Sequence, residues 1–393
     1  MKFFTEYPEK EEEKYSALVA QAARTNMDNL YKNADRALRD THAKTHVCVK
    51  GTLEIFDFDA AAIKETLKQR TALTDSQIGG MLLKQGLLAA PKQYPVWLRF
   101  ANGRSKVMHD YESDTRSMSV KIIGVEGERL SRSHESHTQD IITQNAEIFF
   151  IKTIKNYYGF FTSVMKGSFF PLLWLFLHPK QFSALKTITG RYPKSLLTER
   201  YWSGSASALG LPSNFDPNQP GKVSVTYPAV VKYAFTPVAN TPPYGRLPYE
   251  DRPEAERDRA QAVSQQGGQD NYYRDQLIQT LGDPDAKYCW AFEIQIQTRP
   301  DLSIDDVTLI WPEVEAPFFK VGRLTVEHQK VEFEKQCEFC ENLRFSPWNG
   351  LAVHRPVGAL NRLRSRIYTL VGDYRHQKQG INYQEPTGHE ILK

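Results

Sequence analysis

Cysteine is scarce in this chain. Four in 393 residues (Cys48, Cys289, Cys337 and Cys340) are too few for a disulfide scaffold at this size. Cys337-x-x-Cys340 has no second pair at zinc spacing and no thioredoxin-like βαβ context, so no redox or metal role is read into it. A dense basic block is missing too. The 50 Lys and Arg stand against 46 Asp and Glu and are scattered, which argues against a nucleic-acid partner. The first fourteen residues, MKFFTEYPEKEEEK, are acidic and lack a leader pattern, so a cytoplasmic location is the expectation. There is no Gly-x-Gly-x-x-Gly after a strand, no phosphate loop, no Gly-x-Ser-x-Gly elbow and no internal repeat. His134-Glu135-Ser136-His137 sets its histidines three apart rather than the four a zinc helix needs, and reads as a polar loop.

No stretch reaches the ~20 apolar residues of a membrane span. The nearest is FFPLLWLFL, residues 169–177, with Lys166 before it and Lys180 after it. Two readings stay open: a buried helix segment, or an element facing a lipid surface, since Phe and Trp beside Lys suit a peripheral membrane contact.

What is present is a globular chain, 40% apolar, long enough for one large domain or two to three ordinary ones. Residues 9–39 read as a charged amphipathic helical arm. Period-two alternation predicts strands over 47–58, 95–101, 117–124, 288–298 and 321–329. A strand is also predicted at IFFIK, 148–152, and one long bent strand or a strand pair at 223–238. Helices are predicted over 60–70, through most of 155–200, within the Pro- and charge-rich 239–270, at 272–282 and at 358–371. Many strands with helices gathered late suggest α+β with an antiparallel sheet.

The most informative segment is RSRIYTLVGDYR, residues 364–375. On a helix, Arg364 lies one turn before Tyr368 and Arg375 nearly two turns after it. A guanidinium beside a phenol favours the phenolate, which is a plausible ligand for ferric haem. RDTHAK (39–44), WLRFANG (97–103), SDTRSMSVKI (113–122) and DIITQNAEIFFIK (140–152) precede it in that order.

These segments together resemble the haem catalases, and among them the short catalase-related proteins that include the coral-type allene oxide synthases. The resemblance covers roughly residues 35–378 and is patchy between about 165 and 285. It implies an eight-stranded antiparallel barrel with haem, expected to be haem b, held between barrel and helices. The implied organisation is an amino-terminal arm (1–35), a haem domain (36–378) and a tail (379–393). It implies a distal base at His42, a distal neutral donor at Asn145, an iron ligand at Tyr368 and a charge partner at Arg364. Arg39, Arg99 and Arg375 match arginines that meet haem carboxylates, for which a bidentate, permanently charged group is suited. Asp110 falls at a substrate-channel position. Phe149, Phe150 and Phe160 read either as pocket lining or as plain core.

Three departures shape the functional expectation. Thr41 stands where large catalases usually have Val; its hydroxyl can engage the His42 imidazole and slow hydrogen peroxide breakdown. Ala101 replaces a Ser that supports the distal histidine. THVCVKG, 45–51, replaces a glycine-rich run. The leading expectation is a fatty-acid hydroperoxide rearranged or cleaved at haem. A small catalase or peroxidase, and a haem- or lipid-binding protein without turnover, are the alternatives. The sequence leaves a homo-oligomer open.

Overall fold

The computed structural model describes residues 1–130, 135–167, 169–212, 216 and 224–390. Nine strands form its sheet: β1 Thr45–Ile55, β2 Lys92–Asn102, β3 Arg116–Ile123, β4 Thr138–Gln144, β5 Tyr201–Trp202, β6 Ser207–Ala208, β7 Val230–Val238, β8 Lys287–Ile296 and β9 Phe318–Glu327. They run in the order β5-β4-β3-β2-β1-β9-β8-β7, and β5 also pairs with β7. That extra pairing closes an eight-stranded antiparallel barrel, and β6 hangs on β7 outside the ring. The α+β barrel expected from the sequence is what the chain forms.

The alternation in β1 and β2 explains why they sit in the wall. Val47, Val49, Val96 and Leu98 point into the barrel and join its main apolar cluster. Their neighbours Cys48 and Trp97 point outward into a second cluster with Cys340, Leu343 and Phe345. Strand period two thus feeds both sides of the wall. All eight positions of β3 and all nine of β7 are buried, as suits strands covered on both faces.

The helices are α1 Glu12–Tyr31, α2 Ala60–Arg70, α3 Asp75–Gly80, α4 Ile154–Met165, α5 Phe169–Phe176, α6 Pro179–Thr189, α7 Glu254–Ser264, α8 Tyr272–Leu281, α9 Phe333–Asn342 and α10 Ala359–Gln379. The predicted arm is not free. Val19 of α1 packs with Ile154 and Leu363, and Met27 with Val371 and Tyr374. Ahead of α1, Glu6 and Glu12 grip Arg362 of α10, and Glu6 also bonds Arg355 at 3.1 Å. α10 begins at Gly358, whose φ of +92° and closeness to Ile304 leave no room for a side chain.

Several expectations need correction. IFFIK is not a strand. The wall strand is β4, which ends at Gln144, and the Gln144 amide then folds the chain back by donating to Ile148 O at 2.9 Å. Phe149 and Phe150 instead build an aromatic cluster with Phe160. The segment 223–238 yields one strand, β7; Val223 itself lies outside the described residues. Residues 169–177 are not a buried segment: α5 buries Leu175 alone. No helix among the described residues is long and apolar enough to cross a membrane. Glu135, Ser136 and His137 do lie in a loop, with Ser136 and His137 exposed, but Glu135 turns inward and is buried against Lys121 at 2.5 Å; His134 lies outside the described residues. Helix α9 was not anticipated.

One disulfide, Cys48–Cys340, ties β1 to α9 across 292 residues of sequence. Closing so long a loop restricts the unfolded chain, which in the chain-entropy account stabilises by ~2–4 kcal/mol. Cys340→Ser should lower the urea-extrapolated stability by about that amount, and reducing agent should destabilise the parent but not the variant.

Candidate active site

A cleft opens between the outer face of the barrel wall and α10. Arg39, Thr41 and His42 line it from the loop before β1, Arg99 from β2, and Tyr368 and Arg375 from α10. Six of the residues expected to act, scattered over 337 positions of sequence, therefore share one cavity. Ser119, Ile142, Arg344 and Phe345 complete much of the lining and were not foreseen.

His42 is placed by its backbone. Its φ is +58°, a left-handed conformation that a non-glycine residue adopts only when its surroundings hold it. The surroundings are explicit. His42 N donates to Gly103 O at 3.1 Å, Ala43 N to Arg104 O at 3.0 Å, and Arg99 Nη2 to His42 O at 2.6 Å. Gly103 has to be glycine, since a Cβ there would fall 2.2 Å from Thr115 Oγ1. Burial and the neighbouring Arg99 push the imidazole pKa down to about 3, so the ring is neutral and able to accept a proton. Its Nδ1 is buried without a hydrogen-bond partner among the described residues. That orphan fits the alanine at 101, which offers no hydroxyl. It also means that the exposed Thr41 makes no hydrogen bond to this nitrogen, contrary to expectation.

The three arginines meet at a carboxylate that sequence reading missed. Glu341, at the end of α9, lies 3.0 Å from Arg99 Nη2, 3.5 Å from Arg39 Nε and 3.4 Å from Arg375 Nη2. Thr45 Oγ1 donates to it at 2.6 Å. Burial alone would raise its pKa, but the three guanidiniums hold it well below the usual carboxylate range. Burial, with the like charge of Arg375, also pulls Arg39 well below its ordinary value. One carboxylate cannot neutralise three guanidiniums, so positive charge is left over at the cleft. Arg375 Nε also lacks a hydrogen-bond partner among the described residues.

The remaining candidates lie elsewhere. Arg364 sits one turn before Tyr368, as the spacing predicts, but its Nη1 donates to Ser205 Oγ at 3.0 Å and Asn361 Oδ1 at 3.3 Å. It lines a second recess that shares Ile142 with the main cleft. Asn145 is fully buried and outside the lining. Its Oδ1 accepts from Arg116 N at 2.7 Å, and its Nδ2 donates to Glu199 at 3.3 Å. Asp110 is held internally by Lys44 at 2.7 Å, Asn102 and Tyr273 N. Phe160 packs on Phe150 and Trp174, away from the cleft.

The donor set suits the haem that the resemblance implies. Surplus guanidinium charge suits a group bearing two carboxylates. Tyr368 brings a phenol oxygen and His42 a neutral imidazole into the same cleft, donor types that fit a haem site.

No family model matches the chain, and neither does any curated protein. Solved structures do. A fungal catalase superposes with a TM-score of 0.61 at 17% identity, covering 90% of this chain and 62% of that one. A bacterial catalase gives 0.60 at 17% identity, covering 93% and 62%. Catalase A from Saccharomyces cerevisiae gives 0.60 at 15% identity, covering 93% and 67%. The fold is thus catalase-like, and the chain spans about 62% of the length of the first two catalases.

Two measurements test the electrostatics. Glu341→Gln leaves three buried guanidiniums without their counter-charge and should cost ~3–5 kcal/mol in urea unfolding. Burial pushes the Glu199 carboxyl up to about 7 despite Arg191 and the Asn145 amide. The folded state therefore keeps a proton that the unfolded chain releases at lower pH. The stability this gives is lost as pH rises through 7. Glu199→Gln should gain on the parent by roughly 2–3 kcal/mol between pH 4.5 and 8, read from urea midpoints.

Proposed function

We propose that this chain is a haem-dependent enzyme acting on hydroperoxides, with an organic, fatty-acid-type hydroperoxide as its preferred substrate. The observation that carries the reading is the meeting of His42 and Tyr368 in one cleft beside Arg39, Arg99 and Arg375. Tyr368 would hold the iron, and the three arginines the haem carboxylates. Bound there, haem supplies a ferric centre at which a peroxide O–O bond can be cleaved.

The residues of the chain handle protons and position. The neutral His42 imidazole takes the hydroperoxide proton and later returns it to a product oxygen. The charge of Arg364 adds to that of Arg99 in keeping the ring neutral. Asn145, which the resemblance makes a neutral donor, takes no part in this reading, because its amide is engaged by Arg116 N and Glu199 outside the cleft. The preference for an organic substrate rests on Ala101 and the unpartnered His42 Nδ1, which leave the ring without the orienting hydrogen bond that a serine would give. Hydrogen peroxide breakdown needs a proton moved from one oxygen to the other, and a loosely oriented imidazole serves that poorly.

Hemin titration of the purified protein should show saturable uptake at one site. Tyr368→Phe should weaken uptake at least tenfold, and Arg39→Ala should weaken it less. His42→Ala should keep the haem spectrum and lose conjugated-diene hydroperoxide conversion by about 10²–10⁴-fold. Fast oxygen evolution from hydrogen peroxide would identify a small catalase instead. Haem uptake with neither activity would leave a binding protein, and failure to take up hemin at all would end the proposal.

A further inference from the structure

The strongest feature outside the cleft is the hairpin of α5 and α6. A helix apolar on every side is normally buried. α5 reads FFPLLWLF and is not. One side rests on the protein: Leu175 is buried, and Trp174 meets Phe160 and stacks on His178 at 3.8 Å. On the other side Phe169, Leu172, Phe176 and Leu177 are 64–80% exposed. Phe182 of α6 and Val164 of α4 extend the bare surface. A contiguous patch of large apolar side chains of this kind marks a surface that meets something apolar.

The charges around it say what that partner is. From Ile148 to Thr198 the sequence has no Asp or Glu, although the whole chain carries 46 of them in 393 residues. The same stretch has seven Lys or Arg. Lys152, Lys194 and Arg191 are taken up by Asp306, Glu250 and Glu199. Lys166, Lys180 and Lys186, which border the apolar patch, are exposed and have no ion pair among the described residues. Lys166 and Lys180 flank α5 at its two ends, at the places where a shallowly inserted helix meets headgroups. An apolar face bordered by unpaired lysines, on a stretch of sequence without an acid, complements a bilayer that is apolar inside and negative at its surface. A second copy of this chain would bring the same lysines face to face.

We propose that α5 and the start of α6 form a peripheral docking element for anionic lipid bilayers. It lies in the interface with Phe169, Leu172, Phe176 and Leu177 among the acyl chains and Lys166, Lys180 and Lys186 at the headgroups. The inference uses no cofactor and stands or falls apart from the hydroperoxide reading.

The test is co-sedimentation of the full chain, without added hemin, with vesicles of phosphatidylcholine alone or with 30% phosphatidylglycerol. Binding should be at least tenfold tighter to the anionic vesicles and should weaken in 0.5 M NaCl. Phe176→Ser combined with Leu172→Ser should reduce it at least tenfold while the circular dichroism spectrum and melting temperature stay unchanged, because both side chains are exposed. Brominated acyl chains should quench tryptophan fluorescence in the parent and less in Trp174→Phe. Equal binding to both vesicle types, or none to either, overturns the proposal. So does a dimer by light scattering that the double variant abolishes, since that outcome assigns the patch to a second copy.

Discussion

One buried carboxylate joins four distant parts of the chain. Glu341 of α9 touches Arg39 from the loop before the barrel, Arg99 from its wall and Arg375 from the last long helix. Without it, three guanidiniums would stand near one another in a place of low water content, and mutual repulsion would push the cleft open. With it, the arginines are fixed but not saturated. The same cluster thus sets the spacing between barrel and α10 and keeps a cationic wall available to a ligand. The Cys48–Cys340 bond one residue away holds α9, and hence the carboxylate, on β1.

The barrel was legible because its signal is local. Val47, Val49, Val96 and Leu98 alternate with Cys48 and Trp97, and that period survives in the structure as two separate apolar clusters. The helix carrying Arg364, Tyr368 and Arg375 was legible for the same reason. Asn145 and Phe160 were harder, because their roles depend on partners far along the chain. The Asn145 amide is divided between Arg116 and Glu199, and no spacing rule announces that. IFFIK misled because four successive apolar residues suit a strand edge or an aromatic cluster equally, and only the turn made by Gln144 decides between them.

Glu341 was invisible for a different reason. It follows a Cys-x-x-Cys whose spacing invites a redox or metal reading, and when that reading is set aside the residues around it are set aside too. Its importance comes from charge number: one acid among three bases. That count is made in space and not along the sequence. The unpartnered Nδ1 of His42 is likewise a property of what is missing around it, although Ala101 hinted at it.

The wall of the barrel is uneven in strength. Along most of its circumference neighbouring strands share many paired residues, but β5 offers two, Tyr201 and Trp202, and joins β4 through Gln144 alone. A hoop with one narrow splice yields there first when strained. Asn145 follows Gln144, and Glu199 stands two residues before Tyr201, so their shared hydrogen bond acts as a stitch across that splice. Loosening it would let the two staves slip apart without unravelling the rest of the cylinder.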